Sequence, residues 1–373
     1  MRAPRKRSHA LALLGLMVVG GSAQAGGLEA NGYNWDMIFD PATYAAKGTI
    51  TYVDIDHAIT NPGYPGTTVS SSPSRVHYNF GISGEIIDNT SCLVSAQNPF
   101  GSGTDRDRAY AFATSQAVRE RISSNDIGLT CAYGLDVGPG VASIIGGISA
   151  QQLSYTATVP TALGITAPID IDGMSAGWRL GVAYEIEEIA LRVSAIYNSA
   201  VSYDLDGTAL DGTPFSGPAS ANVTAPQSIE LKAQTGVAPG WLVLGSVKWV
   251  DWSVVDTLAV STNAGPISTD LNYRDGWTVT GGVGHALTPE LTVLGTVTWD
   301  RGTSSVDNAG VLENGTQTDR WGATLGAAYD ISESVEFSGG VSYSTIAPGS
   351  NLQNESWDRG SVLAISASLK ASF

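Results

Sequence analysis

From about residue 170 to Phe373 the chain repeats one unit, a stretch in which apolar residues alternate with small or polar ones, followed by a turn. A period of two places successive side chains on opposite faces of a strand, and no helix produces it. Trp178, Leu180, Val182 and Tyr184 share one face, while Arg179, Gly181 and Ala183 share the other. Ile189, Leu191, Val193, Ala195 and Tyr197 oppose Arg192, Ser194 and Asn198 in the same way. Two further stretches, Trp241 to Trp249 and Leu291 to Trp299, carry aromatic residues near their ends, like the interfacial girdles of membrane barrels. The last stretch, Leu363, Ile365, Ala367, Leu369, Ala371 and Phe373, alternates strictly and ends in an aromatic residue.

The charged fraction is 14%, against about 25% in ordinary soluble domains. After the first residues nothing approaches the ~18 consecutive apolar residues of a membrane helix. Low charge without membrane helices points to an all-β, membrane-spanning antiparallel barrel, whose lipid-facing apolar positions are diluted by alternation. At the start, Arg2, Arg5, Lys6 and Arg7 precede an apolar run from Leu11 to Val19 and then Ala23-Gln24-Ala25, so residues 1–25 read as a secretory signal peptide. Four of the 19 basic residues fall in that segment, leaving 15 against 35 acids and a formal charge of −20, which excludes nucleic acid as a partner. Cys92 and Cys131, the only cysteines, are candidates for a disulfide in an oxidising compartment; the alternative is two separated thiols packed as small apolar groups.

Counting stretches gives about fourteen strands, an even number, as a closed bacterial barrel requires when both ends lie in the periplasm. Glu185 to Glu188, Ala238 to Gly240, Leu287 to Glu290 and Asp330 to Glu333 read as periplasmic turns. The longer links near 59–73, 100–118, 206–224, 261–267, 305–315 and 347–357 fall on the other side as extracellular loops. A last strand ending in Phe373 resembles the signal by which outer-membrane barrels engage the barrel-assembly machinery. The expected setting is the outer membrane of a Gram-negative bacterium, with its lipids and lipopolysaccharide as neighbours.

Several segments resemble the FadL/TodX family of outer-membrane transporters. They are Asn34-Trp35-Asp36-Met37-Ile38-Phe39-Asp40-Pro41 leading into Thr49-Ile50-Thr51-Tyr52-Val53; Ala225-Pro226-Gln227-Ser228-Ile229-Glu230-Leu231; Lys248-Trp249-Val250-Asp251-Trp252-Ser253; Tyr273-Arg274-Asp275-Gly276-Trp277; and Trp299-Asp300-Arg301-Gly302. The resemblance implies a monomeric barrel blocked by an N-terminal plug, with long-chain fatty acids or other hydrophobic compounds captured outside and released sideways beside the third strand. The corresponding kink is Asn98-Pro99-Phe100-Gly101, where proline removes a ladder donor; the plainer alternative is that the strand ends there in a turn. Only about fifteen residues, Gly26 to Asp40, precede Pro41, so a reduced plug is expected at 26–46, ahead of a barrel at 47–373.

A carboxylated lipid needs apolar surface for its chain and a cation for its head, because an unpaired buried carboxylate is costly. Arg179, Arg192, Lys248, Arg274 and Arg320 are the head-group candidates on the inward phase, with pairing to inward acids such as Asp300 and Glu336 as the structural alternative. Asp204-Leu205-Asp206-Gly207 with Asp211-Gly212 begins like a calcium loop but lacks the distal glutamate, so no metal site is expected. His9, His57, His77 and His285 stand in no catalytic or metal-ligand spacing, so neither an enzyme nor a cofactor is expected. Facilitated diffusion of hydrophobic compounds is the first functional reading; a general porin for small polar solutes and a structural or adhesive barrel are the alternatives.

Overall fold

The structure is a computed structural model that describes residues 27–70, 73–308, 310–313 and 315–373. The expected signal peptide at 1–25 lies outside the described residues. Fourteen antiparallel strands pair in chain order. They are β1 (Tyr44–Asp56), β2 (Arg75–Ile87), β3 (Thr90–Gln97, resuming at Gly101–Arg106), β4 (Arg119–Val137), β5 (Gly140–Pro160), β6 (Thr166–Ile186) and β7 (Leu191–Asn198, resuming at Val201–Ala209). The second half comprises β8 (Gly217–Ala225, resuming at Ser228–Ala238), β9 (Trp241–Val250), β10 (Gly276–Ala286), β11 (Leu291–Asp300), β12 (Arg320–Ser332), β13 (Val335–Ile346) and β14 (Gly360–Ser372). The last strand then joins the first, from Ala45 opposite Ser372 to Asp56 opposite Ser361. Tyr44 and Phe373 exchange backbone hydrogen bonds at 3.0 and 2.9 Å and stack their rings at the seam.

Closure follows from the medium. Lipid offers backbone N–H and C=O groups no partner, so a sheet that spans it must have no free edge. The alternation then sorts side chains. Ile82, Ile148, Val182, Leu325 and Leu369 project outward with more than half their surface uncovered, as lipid-facing residues do in an isolated chain. The opposite phase puts Gln97, Asp126, Arg179, Arg192, Lys248, Thr278 and Ser368 inside, all buried. Both termini of the barrel sit at the end with short connections, where a two-residue turn at Gly138-Pro139 takes glycine at φ 59° in its first central position, as the hairpin twist demands.

The strand boundaries depart from the sequence reading where alternation continues outside the barrel. The stretch expected between the turn at Gly240 and the link at 261–267 divides: β9 stops at Val250, Asp251 turns the chain through a bond from the Ser253 hydroxyl, and Thr257–Val260 pairs with Ile267–Asp270 in a separate hairpin over the barrel mouth. That hairpin has its own inner face, with Leu258 and Val260 buried, so a period of two could not distinguish it from a membrane strand. The link 206–224 contracts to 210–216 because β7 and β8 extend into it. The link 100–118 holds the upper part of β3 and helix α1 (Arg108–Thr114), capped by the Asp107 carboxylate at the Ala109 and Tyr110 amides. Cys92 and Cys131 face each other across β3 and β4 in a disulfide, on the outward phase shared with Val94 and Leu129.

Leu325 lies in the middle of β12, 74% exposed and opposite Val341. Leu325→Arg should destabilise the folded barrel by about 2–4 kcal/mol in urea titrations from lipid vesicles; an unchanged midpoint would mean this face does not meet hydrocarbon.

Candidate cargo site and the interrupted third strand

The third strand does not end at Asn98: it bends and resumes. Below the bend, β3 pairs with β2 on one side, up to Gln97 opposite Asn79, and with β4 on the other, up to Gln97 opposite Asp126. Above it, Gly101–Arg106 pairs with β4 from Gly101 opposite Ser123, and has no ladder to β2. Three residues, Asn98, Pro99 and Phe100, thus oppose two, Ser124 and Asn125, which makes a bulge. Ser124 receives the displaced backbone: its amide and its hydroxyl both donate to the Phe100 carbonyl, and the hydroxyl also meets the Phe100 amide at 2.8 Å. Proline at the bend has no N–H to lose, while its carbonyl turns inward and accepts from the Ala30 and Gly32 amides at 3.0 and 3.2 Å.

Those amides belong to the N-terminal segment, which runs inside the barrel from Gly27 into the single turn Asp36–Phe39. Leu28 accepts from the Gly101 amide and Glu29 bridges Phe100, so the segment acts as a short strand laid against the bend. Lower down, Trp35, Met37 and Ile38 pack on the inward Leu93, Ala132, Ile145, Ala183 and Ile196. Three carboxylates fasten it to three lysines: Glu29 to Lys248, Asp36 to Lys232 at 2.9 Å, and Asp40 to Lys370 at 3.1 Å. Desolvated ion pairs of this kind hold a geometry well, since losing one partner strands a buried charge.

This accounts for most of the head-group candidates. Lys248 is paired with Glu29, Arg192 sits on the Phe39 ring and is paired with Glu185 at 2.8 Å, and Arg179 faces Asp126 and the Tyr33 ring. Arg274 is not on a strand phase at all; it lies in the connection before β10 with its Nε on the Gly302 carbonyl. Lys248 borders a cavity of about 130 Å³ shared with Lys232, Asn34 and Thr296, and Arg320 borders a small polar cavity of about 10 Å³ that also touches His57, Arg75 and the bend at Gly101. The inward acids divide as well: Glu336 lies 3.5 Å from Lys370, whereas Asp300 accepts from the Thr278 hydroxyl. Sequence reasoning passed over Lys232, Lys370 and Arg75, although Lys232 alternates with the outward Leu231 in the same way as Lys248 with Val247.

Above the plug the lumen is apolar. Phe100, Tyr155, Ile169, Ile171, Tyr203, Leu205, Trp252 and Leu258 form one buried cluster. A run of edge-to-face aromatic contacts, Tyr33 to Phe100 to Trp252 to Tyr273, leads through it to the bend. A narrow cavity of about 60 Å³ between Leu28, Phe100, Leu153, Leu205, Val223 and Trp252 is almost wholly apolar. A wider one of about 430 Å³ opens toward the loops between Ile59, Val69, Arg106, Tyr155, Val159 and Leu271, where Arg106 is neutralised by Glu120 at 2.6 Å. Among the described residues no group of His, Cys, Asp and Glu is placed to hold a metal ion, Asp204 and Asp206 included.

A closed fourteen-stranded barrel with its lumen plugged from the N-terminus and an apolar path above the plug defines an outer-membrane β-barrel of the transport class. The family model described as outer membrane protein transport protein (OMPP1/FadL/TodX) matches residues 15–372, and the chain belongs to that family. Its fold is similar to that of a Pseudomonas aeruginosa FadL homologue, at 17% identity and a TM-score of 0.72, over 95% of this chain and 98% of that one. It is similar as well to the Pseudomonas putida toluene transporter TodX (14% identity, 94% and 98% covered, TM-score 0.64). The Ralstonia pickettii toluene transporter TbuX gives 13%, 94% and 97%, and 0.62. A comparison with curated protein sequences finds no match.

Two measurements follow from this geometry. Replacing Lys232 and Lys370 with methionine leaves Asp36 and Asp40 without their lysines, at roughly 3–5 kcal/mol for each broken buried pair, so the variant should show higher steady ion conductance in planar bilayers. Wild-type conductance would mean that the ion pairs do not hold the plug. Burial and the nearby Arg320 push the His57 imidazole down to about 4, with Asp56 opposing. Its folded value is below its unfolded one, so its contribution to the loop packing is complete above about pH 6.5 and is lost as pH falls toward 4. His57→Gln should flatten the dependence of thermal stability on pH across that window; an unaltered slope would assign it to other groups.

Proposed function

We propose that the protein is a passive transporter of hydrophobic compounds, taking them from the extracellular loops into the apolar lumen and releasing them sideways where β3 leaves β2. The observation that carries this reading is the coincidence of the bend and the apolar path: Phe100 belongs to both. Transport needs no cofactor, since a solute moving down its gradient along apolar surface requires no chemical step. The relatives described as toluene transporters bear on the cargo class. The ion pairing of the lumenal cations favours an uncharged cargo, because a carboxylate would have to displace Glu29, Asp126 or Glu185 from an arginine or lysine already satisfied.

One observation favours a second reading, long-chain fatty acids. Arg75 is half-buried beside Arg320 and the bend, and its covered Nε has no hydrogen-bond partner, while its Nη1 donates to the Gly101 carbonyl at 3.0 Å. A carboxylate entering there would meet two guanidinium groups.

Entry into intact Gram-negative cells separates the possibilities. With wild type, the uncharged probe phenylnaphthylamine should enter well above the empty host, and radiolabelled oleate should enter more slowly in Arg75→Gln than in wild type only if the second reading holds. Deleting Pro99 equalises the residue count across the bulge and should let β3 run straight along β2, abolishing entry while the barrel keeps its heat-modifiable mobility in electrophoresis. Undiminished entry in that variant would exclude the sideways route, and large steady ion currents from the wild type would favour a general porin.

A further inference from the structure

The break between β2 and β3 is not an open window. On the outer side of the bend three side chains occupy it. The Asn98 Oδ1 accepts from the Tyr78 amide at 3.2 Å, standing in for the carbonyl that a continuous β3 would have supplied. The Asn98 Nδ2 donates to the Ser124 carbonyl and to the Asn125 Oδ1, both at 3.0 Å. The Tyr78 hydroxyl reaches over the bend and donates to the same Asn125 Oδ1 at 2.8 Å. A single oxygen on β4 thereby receives bonds from β2 and from β3, and ties β2 to β4, which are not neighbours in the wall. On the lumenal side the plug makes the matching contact, with the Asn31 amide group 3.5 Å from the Tyr78 carbonyl.

The position of this group in the membrane gives it weight. On β4 the outward residues are Leu129 and Ile127, then Asn125 and Ser123; on β5, Ile148 and Ala150 give way to Gln152, which lies opposite Asn125. On β2 the Tyr78 ring lies against Phe80, 5.5 Å away. The three side chains therefore sit where the apolar belt meets the polar zone of the outer leaflet. In that place a polar atom is either paired or exposed to a poorly hydrating medium, so the bonds are retained until something displaces them together.

The geometry points to Tyr78, Asn98 and Asn125 as a side-chain latch that closes the lateral exit, and whose opening limits the rate at which cargo leaves for the membrane. The inference rests on the sideways route proposed above and adds to it the residues that gate it. Cargo advancing past Phe100 has to part β2 from the bend; on the outer face the bonds that resist are the two made by Tyr78, through its amide and its hydroxyl, and on the lumenal face the one from the Arg75 Nη1 to the Gly101 carbonyl. Tyr78→Phe removes the hydroxyl bond and retains the ring. Asn125→Ala removes the shared acceptor.

Two readouts test this in the full-length protein. The first is amide hydrogen exchange at Val76 to Asn79, which reads opening of the seam whether or not anything is transported. The second is phenylnaphthylamine entry into intact cells. Loss of a hydrogen bond worth about 1 kcal/mol corresponds to roughly fivefold, so both exchange and entry should quicken by several-fold in Tyr78→Phe and in Asn125→Ala. The hydroxyl bond is common to both variants, so the double variant should exceed Asn125→Ala little. Tyr343→Phe, at an outward tyrosine on β13 that pairs with β12 and β14 and not with β2, should match wild type in both readouts. Unchanged exchange in Tyr78→Phe overturns the latch. Faster exchange with unchanged entry overturns its control of release, and if the Pro99 deletion also leaves entry intact the sideways route falls with it; if that deletion abolishes entry, the route stands and only the gating role is lost.

Discussion

The constraint on which everything else depends is that hydrocarbon supplies no hydrogen-bond partners to a polypeptide backbone. It forces the last strand onto the first, and it makes any interruption of the ladder expensive unless other groups take over the freed N–H and C=O atoms. At the β3 bend they do: Ser124 serves Phe100, the Asn98 side chain serves Tyr78, and the plug amides serve Pro99. The bend is tolerated because it is satisfied on three sides, by its own wall, by side chains on the outer face and by the segment inside the lumen.

The plug and the bend are consequently one structure rather than two. The stretch from Leu28 to Gly32 gains its partners from Pro99, Phe100 and Gly101, and those residues gain theirs from it. An aromatic file then extends from Tyr33 through Phe100 to Trp252 and Tyr273, linking the plug to the roof of the lumen. Phe100, at the bend, touches both Tyr33 below and Trp252 above.

Much of the fold was legible because a membrane barrel writes its geometry into a period of two. Trp178, Leu180 and Val182 face outward and Arg179 inward, as alternation requires. The stretch after Val250 misled because a hairpin above the membrane also has a dry face, and Leu258 and Val260 repeat the pattern without lying in the wall. The site was less legible for a different reason. Alternation reports which way Lys248 and Arg192 point, but not what stands opposite them, and their partners Glu29 and Phe39 lie some 150 to 220 residues away in the chain. The latch residues Tyr78 and Asn125 carry no local signature at all. Each is an ordinary outward residue until the bulge at Asn98 brings them together.

Two of the three lysines that hold the plug stand on neighbouring strands, Lys232 on β8 and Lys248 on β9, and the third, Lys370, is on β14. The last of these stands on the strand whose pairing with β1 completes the cylinder. The full set of attachments therefore exists only once the wall has closed. Attachment of the plug is thereby coupled to closure of the barrel, since a chain whose last strand has not met the first lacks one of its three ion pairs in place.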